Sequence, residues 1–197
     1  MEHVRIHFQR VDPILASALR DFDFARPPAK RDYFVALCEE IINQQLSGKA
    51  GETIWQRFLG LFPKGKLTPE RLLALSDAKI RSVGTSWSKV TYLKSLAASV
   101  HDKKLHLAKL EHMKDAEVIA ELTQVKGIGP WTAEMFLMFT LGREDVFSYG
   151  DLGLKNAIKK LYKFKKDPTR KQMEKLAGKW TPYRTWAARI LWRSLEL

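Results

Sequence analysis

Leu122-Thr123-Gln124-Val125-Lys126-Gly127-Ile128-Gly129-Pro130-Trp131-Thr132-Ala133 is the stretch on which the reading of this chain turns. It predicts the end of one helix, a hairpin carrying two glycines, and the start of a second helix. Gly127 and Gly129 can take φ > 0, and without a Cβ they let an anion come close to the backbone. Pro130 suits the first helical position, where its missing N–H costs nothing. The unused N–H groups of the hairpin and of the helix start then make a ready site for a phosphate group. Lys126 lies inside the hairpin, where it should face that anion.

Composition agrees with a polyanionic partner. The 197 residues carry 34 Lys+Arg against 22 Asp+Glu, a net charge of +12, and the pI is near 9.8. Basic residues are scattered, with one denser run at Lys159-Lys160, Lys163, Lys165-Lys166 and Arg170-Lys171. Charge alone is equally compatible with a merely basic soluble protein. Cys38 is the single cysteine, which excludes structural disulfides, a Cys₄ zinc site and a Cys₄ iron–sulfur cluster within one chain. It shares an apolar helical face with Phe34, Leu37, Ile41 and Ile42, so a core thiol is expected. No signal peptide or membrane-length apolar run is present. The expectation is an intracellular protein, in cytoplasm or nucleoid if prokaryotic and in the nucleus if eukaryotic.

Outward from the hairpin, helical periodicity dominates and strand alternation is nearly absent. Apolar residues recur at helical spacing in 14–19, 34–46, 50–61, 90–100 and 118–125, and again in 131–141, 154–162, 173–176 and 183–195. Breakers fall between them at Pro27-Pro28, Pro63-Lys64-Gly65, Gly84, Gly142, Asp167-Pro168 and Thr181-Pro182. Asp115 reads as an N-cap. Ser76 to Ser86 forms a second, shorter helix–turn–helix pattern without paired glycines, which is read as structural. The fold class expected is all-α, in one unit.

After the hairpin comes Asp145-Val146-Phe147-Ser148-Tyr149-Gly150-Asp151, which delivers an acid at what reads as another helix start. Ahead of it lies Ile41-Ile42-Asn43-Gln44-Gln45-Leu46-Ser47-Gly48-Lys49-Ala50, and near the end Trp180-Thr181-Pro182-Tyr183-Arg184-Thr185-Trp186-Ala187-Ala188 with Leu191-Trp192. Together these segments resemble the helix-hairpin-helix (HhH-GPD) DNA glycosylases, specifically the 3-methyladenine DNA glycosylase II type, from Phe34 to Trp192. The resemblance implies a compact bilobal helical fold. One lobe would span about residues 34–145, and the other would join 1–33 to about 146–197. Longer members carry a β-rich N-terminal domain; only about thirty residues precede the first matched helix, so a minimal form is expected.

The same resemblance implies the chemistry. A base buried in duplex must be turned out before it can be attacked. Cleavage of the N-glycosidic bond builds positive charge on the sugar, and a carboxylate beside C1′ stabilises it and can orient water. Asp151 stands at the family's position for that carboxylate, although as a plain N-cap it would contribute only ~1 kcal/mol. Family members that also cut the strand hold a Schiff-base lysine where this chain has Trp131. The implied activity is therefore a monofunctional glycosylase for alkylated purines without AP-lyase activity. The alternative is a non-catalytic helix-hairpin-helix DNA-binding module.

Trp131, Met135 and Trp192 are the implied base pocket, where indole faces attract a cationic base at ~0.5–2 kcal/mol per contact. Each is also a residue type that fills cores. Met135 departs from the aromatic residue of the best-known bacterial relatives. The DNA-binding set is Gln44, Gln45, Lys126, Gly127, Gly129 and Thr132, with Gln45 as the side chain pushed into the gap left by the flipped nucleotide. Family members often hold a monovalent cation on hairpin carbonyls, here those of Thr123, Val125 and Ile128, as a structural Na⁺ or K⁺. No cofactor is required, and the expected partner is double-stranded DNA carrying alkylated bases, with no membrane, bound by a monomer.

Overall fold

The computed structural model describes residues 2–18, 22, 32–46 and 48–195. Among these residues every regular element is helical. In chain order they are α1 (Glu2–Val11), α2 (Pro13–Ser17), α3 (Tyr33–Asn43), α4 (Gly48–Leu59), α5 (Pro69–Ala74) and α6 (Asp77–Arg81). There follow α7 (Trp87–His101), α8 (Asp115–Leu122), α9 (Pro130–Phe139), α10 (Leu152–Leu161), α11 (Arg170–Trp180) and α12 (Arg184–Arg193). The all-α expectation holds. Short 3₁₀ turns lie at Pro63–Gly65 and Leu107–His112. None of the described helices is long and apolar enough to cross a membrane.

Contacts gather the chain into two units, residues 28–141 and residues 1–27 with 142–197. In the first unit α3 is the central rod. Asp32 caps it, its Oδ1 accepting the N–H groups of Phe34 (2.9 Å) and Val35 (3.2 Å). Its apolar face buries Phe34, Leu37, Cys38, Ile41 and Ile42, and burial pushes the Cys38 thiol well above its ordinary pKa. It packs on α4, α7 and α9, while α8 packs on α9. Helix α7 ties other helices down with lysines. Lys94 Nζ donates to the carbonyls of Leu73 (2.8 Å) and Leu75 (2.5 Å) at the end of α5. Lys89 does the same at the end of α3, as described below. A cation on orphan C-terminal carbonyls satisfies them and opposes the negative end of the helix dipole.

The second unit is held by a buried carboxylate. Asp12 caps α2, its Oδ1 taking the Leu15 N–H at 3.1 Å. Its Oδ2 accepts from the Tyr162 hydroxyl (2.7 Å) and the Trp180 indole N–H (2.9 Å), so a charge that is 3 % exposed has three donors. Burial is the main force raising the Tyr162 pKa, with the Asp12 hydrogen bond adding to it. Trp180 is fully buried and tilts against Phe147, with ring centroids 5.5 Å apart.

The structure adds helices that the sequence pattern does not announce. Helix α1 buries only Val4 and Phe8, one ridge of one helix face, so its apolar signal is sparse. Helix α5 is a short element with one buried residue, Leu72. Asp115 is the first helical residue of α8 rather than its cap. The cap position is Lys114, whose N–H is taken by Glu117 Oε2 at 2.8 Å.

Candidate functional site

The hairpin of the first unit forms as its sequence predicts, with one difference between its glycines. Helix α8 ends at Leu122, Val125 N–H donates to Leu122 O (3.1 Å), and Ile128 N–H closes the turn on Val125 O (3.0 Å). Gly127 has φ +94, where a side chain is strained. A Cβ there would also collide with the Tyr92 ring. Gly129 does not take φ > 0: it sits at φ −93, ψ 176 as the N-cap of α9. A Cβ there would meet nothing within 4 Å. The described structure thus requires a glycine at 127, for the turn itself, and has room for a side chain at 129. Pro130 occupies the first helical position as expected. Among the described residues, the N–H groups of Gly127, Gly129 and Thr132 have no acceptor.

Side chains from elsewhere in the same unit brace this turn. Gln44 Nε2 donates to the Gly127 carbonyl (2.9 Å) and to Thr132 Oγ1 (3.1 Å). Gln44 and the buried Thr132 side chain thus shape the hairpin from within, and what Thr132 leaves to a ligand is its N–H. Gln45 is exposed at the turn after α3, at φ +58. Lys126 is exposed in the hairpin. Lys89 Nζ donates to the carbonyls of Ile42 (2.8 Å) and Gln44 (2.8 Å). Partial burial lowers the Lys89 pKa from its ordinary value. The start of α7, capped by Ser86 on the Lys89 N–H (3.2 Å), therefore comes beside the hairpin. A cavity of about 500 Å³ lies there, lined by Gln44, Gln45, Ser86, Ser88, Lys89 and Tyr92 together with Gly127, Ile128 and Gly129.

Sequence reading assigned Ser76–Ser86 to structure and passed over Lys89 and Tyr92. Nothing in a lone lysine on a helix start announces that it ends a helix far earlier in the chain. Gly127 was the one local signal, since a glycine can mark close approach of another side chain, here Tyr92, as well as a turn.

On α9, Trp131 lies on the first turn and is 39 % exposed, whereas Met135 is buried. No lysine stands at Trp131. The hairpin carbonyls of Thr123 and Ile128 accept no hydrogen bond among the described residues, and Val125 O accepts from Ile128 N–H. Uncharged oxygens of this kind are the hard donors an alkali cation takes.

In the second unit, Asp151 caps α10. Its Oδ1 accepts the Leu154 N–H at 2.7 Å and the Trp192 indole N–H at 3.0 Å. Trp192 therefore touches the carboxylate through its N–H edge. Gly153 permits this approach, because a Cβ there would stand 3.0 Å from Asp151 Oδ1 and 3.2 Å from the Trp192 ring. The other acid of the segment is engaged differently. Asp145 receives Arg184 through Nε (2.7 Å) and Nη2 (2.9 Å) on its two oxygens.

Comparison with known proteins places this geometry. The HhH-GPD superfamily of base excision DNA repair proteins matches residues 38–183. DNA-3-methyladenine glycosylase 1 of Schizosaccharomyces pombe is 34 % identical over 174 residues, covering 87 % of this chain and 76 % of its own. The solved structure of the S. pombe 3-methyladenine DNA glycosylase Mag1 in complex with abasic DNA superposes with a TM-score of 0.89. It is 32 % identical, and the match covers 99 % of this chain and 97 % of that one. A DNA-3-methyladenine glycosidase from Bacillus halodurans gives a TM-score of 0.81 at 35 % identity, covering 98 % and 88 %. Hairpin, carboxylate segment and C-terminal tryptophan helix all fall within or beside the matched span, and the chain belongs to the HhH-GPD superfamily of base excision DNA repair proteins.

Proposed function

We propose that this chain is a monofunctional DNA glycosylase that turns alkylated purines out of duplex DNA and removes them by hydrolysis. Asp151 carries the reading: a carboxylate fixed by two donors on one oxygen, in a chain whose relatives are named 3-methyladenine DNA glycosylases.

The steps follow from the residues. The N–H groups of Gly127, Gly129 and Thr132 hold a backbone phosphate, which carries no sequence information. Unwinding one nucleotide from the stack costs a few kcal/mol, and Gln45 offers a polar side chain to the gap. Trp131 presents an indole face to the extruded base, which favours a cationic purine. Methylation at N3 or N7 supplies that charge and already weakens the glycosidic bond. As the bond from C1′ breaks, Asp151 stabilises the positive sugar and orients water, which adds to C1′ and loses a proton. The base leaves with its bonding electron pair. An alkali cation held by the hairpin carbonyls of Thr123, Val125 and Ile128 would supply charge neutralisation at the phosphate.

Because Trp131 stands where a Schiff-base lysine would be, water is the nucleophile and the strand stays intact. Borohydride added during turnover is expected to trap no protein–DNA adduct, and strands should break only after alkali. A trapped adduct would overturn the hydrolytic reading and point to Lys126.

A further inference from the structure

The segment that carries Asp151 has no regular structure between Gly142 and Gly150, and its shape comes from the start of α12. Arg184 grips Asp145 through both guanidinium contacts, and its own N–H adds a third bond to Asp145 Oδ1 at 3.2 Å. A planar fork on a carboxylate fixes direction as well as distance. Thr185 grips the backbone beside it: its N–H donates to Glu144 O (2.9 Å) and its hydroxyl to Arg143 O (2.6 Å). The same hydroxyl oxygen accepts the Val146 N–H at 3.1 Å. Val146, Phe147 and Ser148 are buried beyond this clamp, and Asp151 N–H turns back onto Ser148 O at 3.2 Å. The hydrogen bond with Asp145 raises the Arg184 pKa, and Tyr149 adds a smaller effect in the same direction.

Helix α12 then meets the segment again at its other end, through Trp192 on Asp151. Arg184 and Trp192 lie ~12 Å apart along one rigid helix at 1.5 Å per residue. The segment is thus pinned at its start and at its carboxylate by the same rod.

We infer that Arg184, through its fork on Asp145, is a positioning residue that sets where Asp151 stands when the glycosidic bond breaks. The inference rests on the proposed role of Asp151. Loss of the fork should release residues 145–149 and let the carboxylate drift, and a misplacement of ~1 Å can cost about 100-fold in rate.

The test is single-turnover excision from methylated duplex, set against affinity for a duplex holding an abasic site. Arg184→Gln is expected to slow excision about 100-fold while abasic-site affinity changes less than about threefold. Arg184→Lys keeps the charge but not the fork, and should recover no more than about a tenth of the parental rate. Asp145→Asn added to Arg184→Gln should cost less than about twofold more, because the pair is already broken. Thr185→Val gives an independent probe of the same clamp and should also slow excision without loss of affinity.

Excision by Arg184→Gln within about threefold of the parent, or rate and affinity falling together, would overturn the inference; strict additivity in the cycle would do the same. A parent that releases no base would instead overturn the proposed function. Amide exchange at Val146 and Asp151 still decides the clamp in that case: faster exchange in Arg184→Gln with α12 unchanged supports it, and unchanged exchange refutes it.

Discussion

The hairpin and the Asp151 segment solve opposite problems. The hairpin offers backbone: in the proposed function its working groups are N–H donors, and Gln44 braces the turn from elsewhere in the chain. The Asp151 segment offers one side chain, and its backbone matters only in placing that carboxylate. Accordingly the hairpin turn depends on what is missing, the Cβ of Gly127. The Asp151 segment depends on what is present, the donors of Leu154, Trp192 and Arg184 and the Thr185 hydroxyl that accepts the Val146 N–H. Damage to the first should weaken binding to any DNA. Damage to the second should slow chemistry and leave binding alone.

The two glycines give the larger test of that contrast. Gly127→Ala forces a side chain into positive φ and onto Tyr92. It should destabilise the fold by ~1–3 kcal/mol and reduce affinity for damaged and undamaged duplex alike. Gly129→Ala has room for its Cβ, so its melting temperature should reflect less than ~1 kcal/mol, the ordinary difference between the two residues at an N-cap. If the proposed phosphate grip is right, its DNA affinity should nonetheless fall about tenfold, because a Cβ at 129 would crowd the phosphate. Equal affinity for Gly129→Ala and parent would break the comparison. For the parent, affinity should drop steeply with salt, as phosphate-held complexes release counterions.

A smaller effect is expected from Trp192→Phe, which keeps an aromatic ring and removes the N–H to Asp151. Loss of one such bond is worth ~1 kcal/mol, so single-turnover excision should slow about fivefold with binding to abasic-site duplex unchanged. If binding of the extruded base weakens instead, Trp192 acts as a stacking wall and its contact with Asp151 is incidental.

How far each region could be read in advance follows from how local it is. Pro130, the flanking helices and Gly127 announce the hairpin within a dozen or so residues, since turn chemistry acts over that range. The departure of Gly129 from positive φ follows from its neighbours rather than from its residue type, since the N-cap of α9 and the residue before Pro130 both favour extended backbone. Asp151 was legible as a cap, and its catalytic role is what the family resemblance implies. Its supports were not. Arg184 and Thr185 act on Asp145 and Val146 from across the chain, and no periodicity links such pairs. Lys89 on the end of α3 is the same case. Met135 shows the converse, a residue that pattern reading could place in pocket or core and that lies buried.

In the proposed function Asp151 drives hydrolytic loss of alkylated purines, and base release from methylated duplex is the reaction to measure. Parent and Asp151→Asn are incubated with the same DNA, free bases are separated by chromatography, and binding to abasic-site duplex is measured beside it. The parent should free 3-methyladenine and 7-methylguanine and leave alkali-labile sites. Asp151→Asn should release them about 1,000-fold more slowly, the cost of losing a transition-state charge partner, while binding as well or better. Parental rates from Asp151→Asn, or no free base from the parent, would contradict the proposed function.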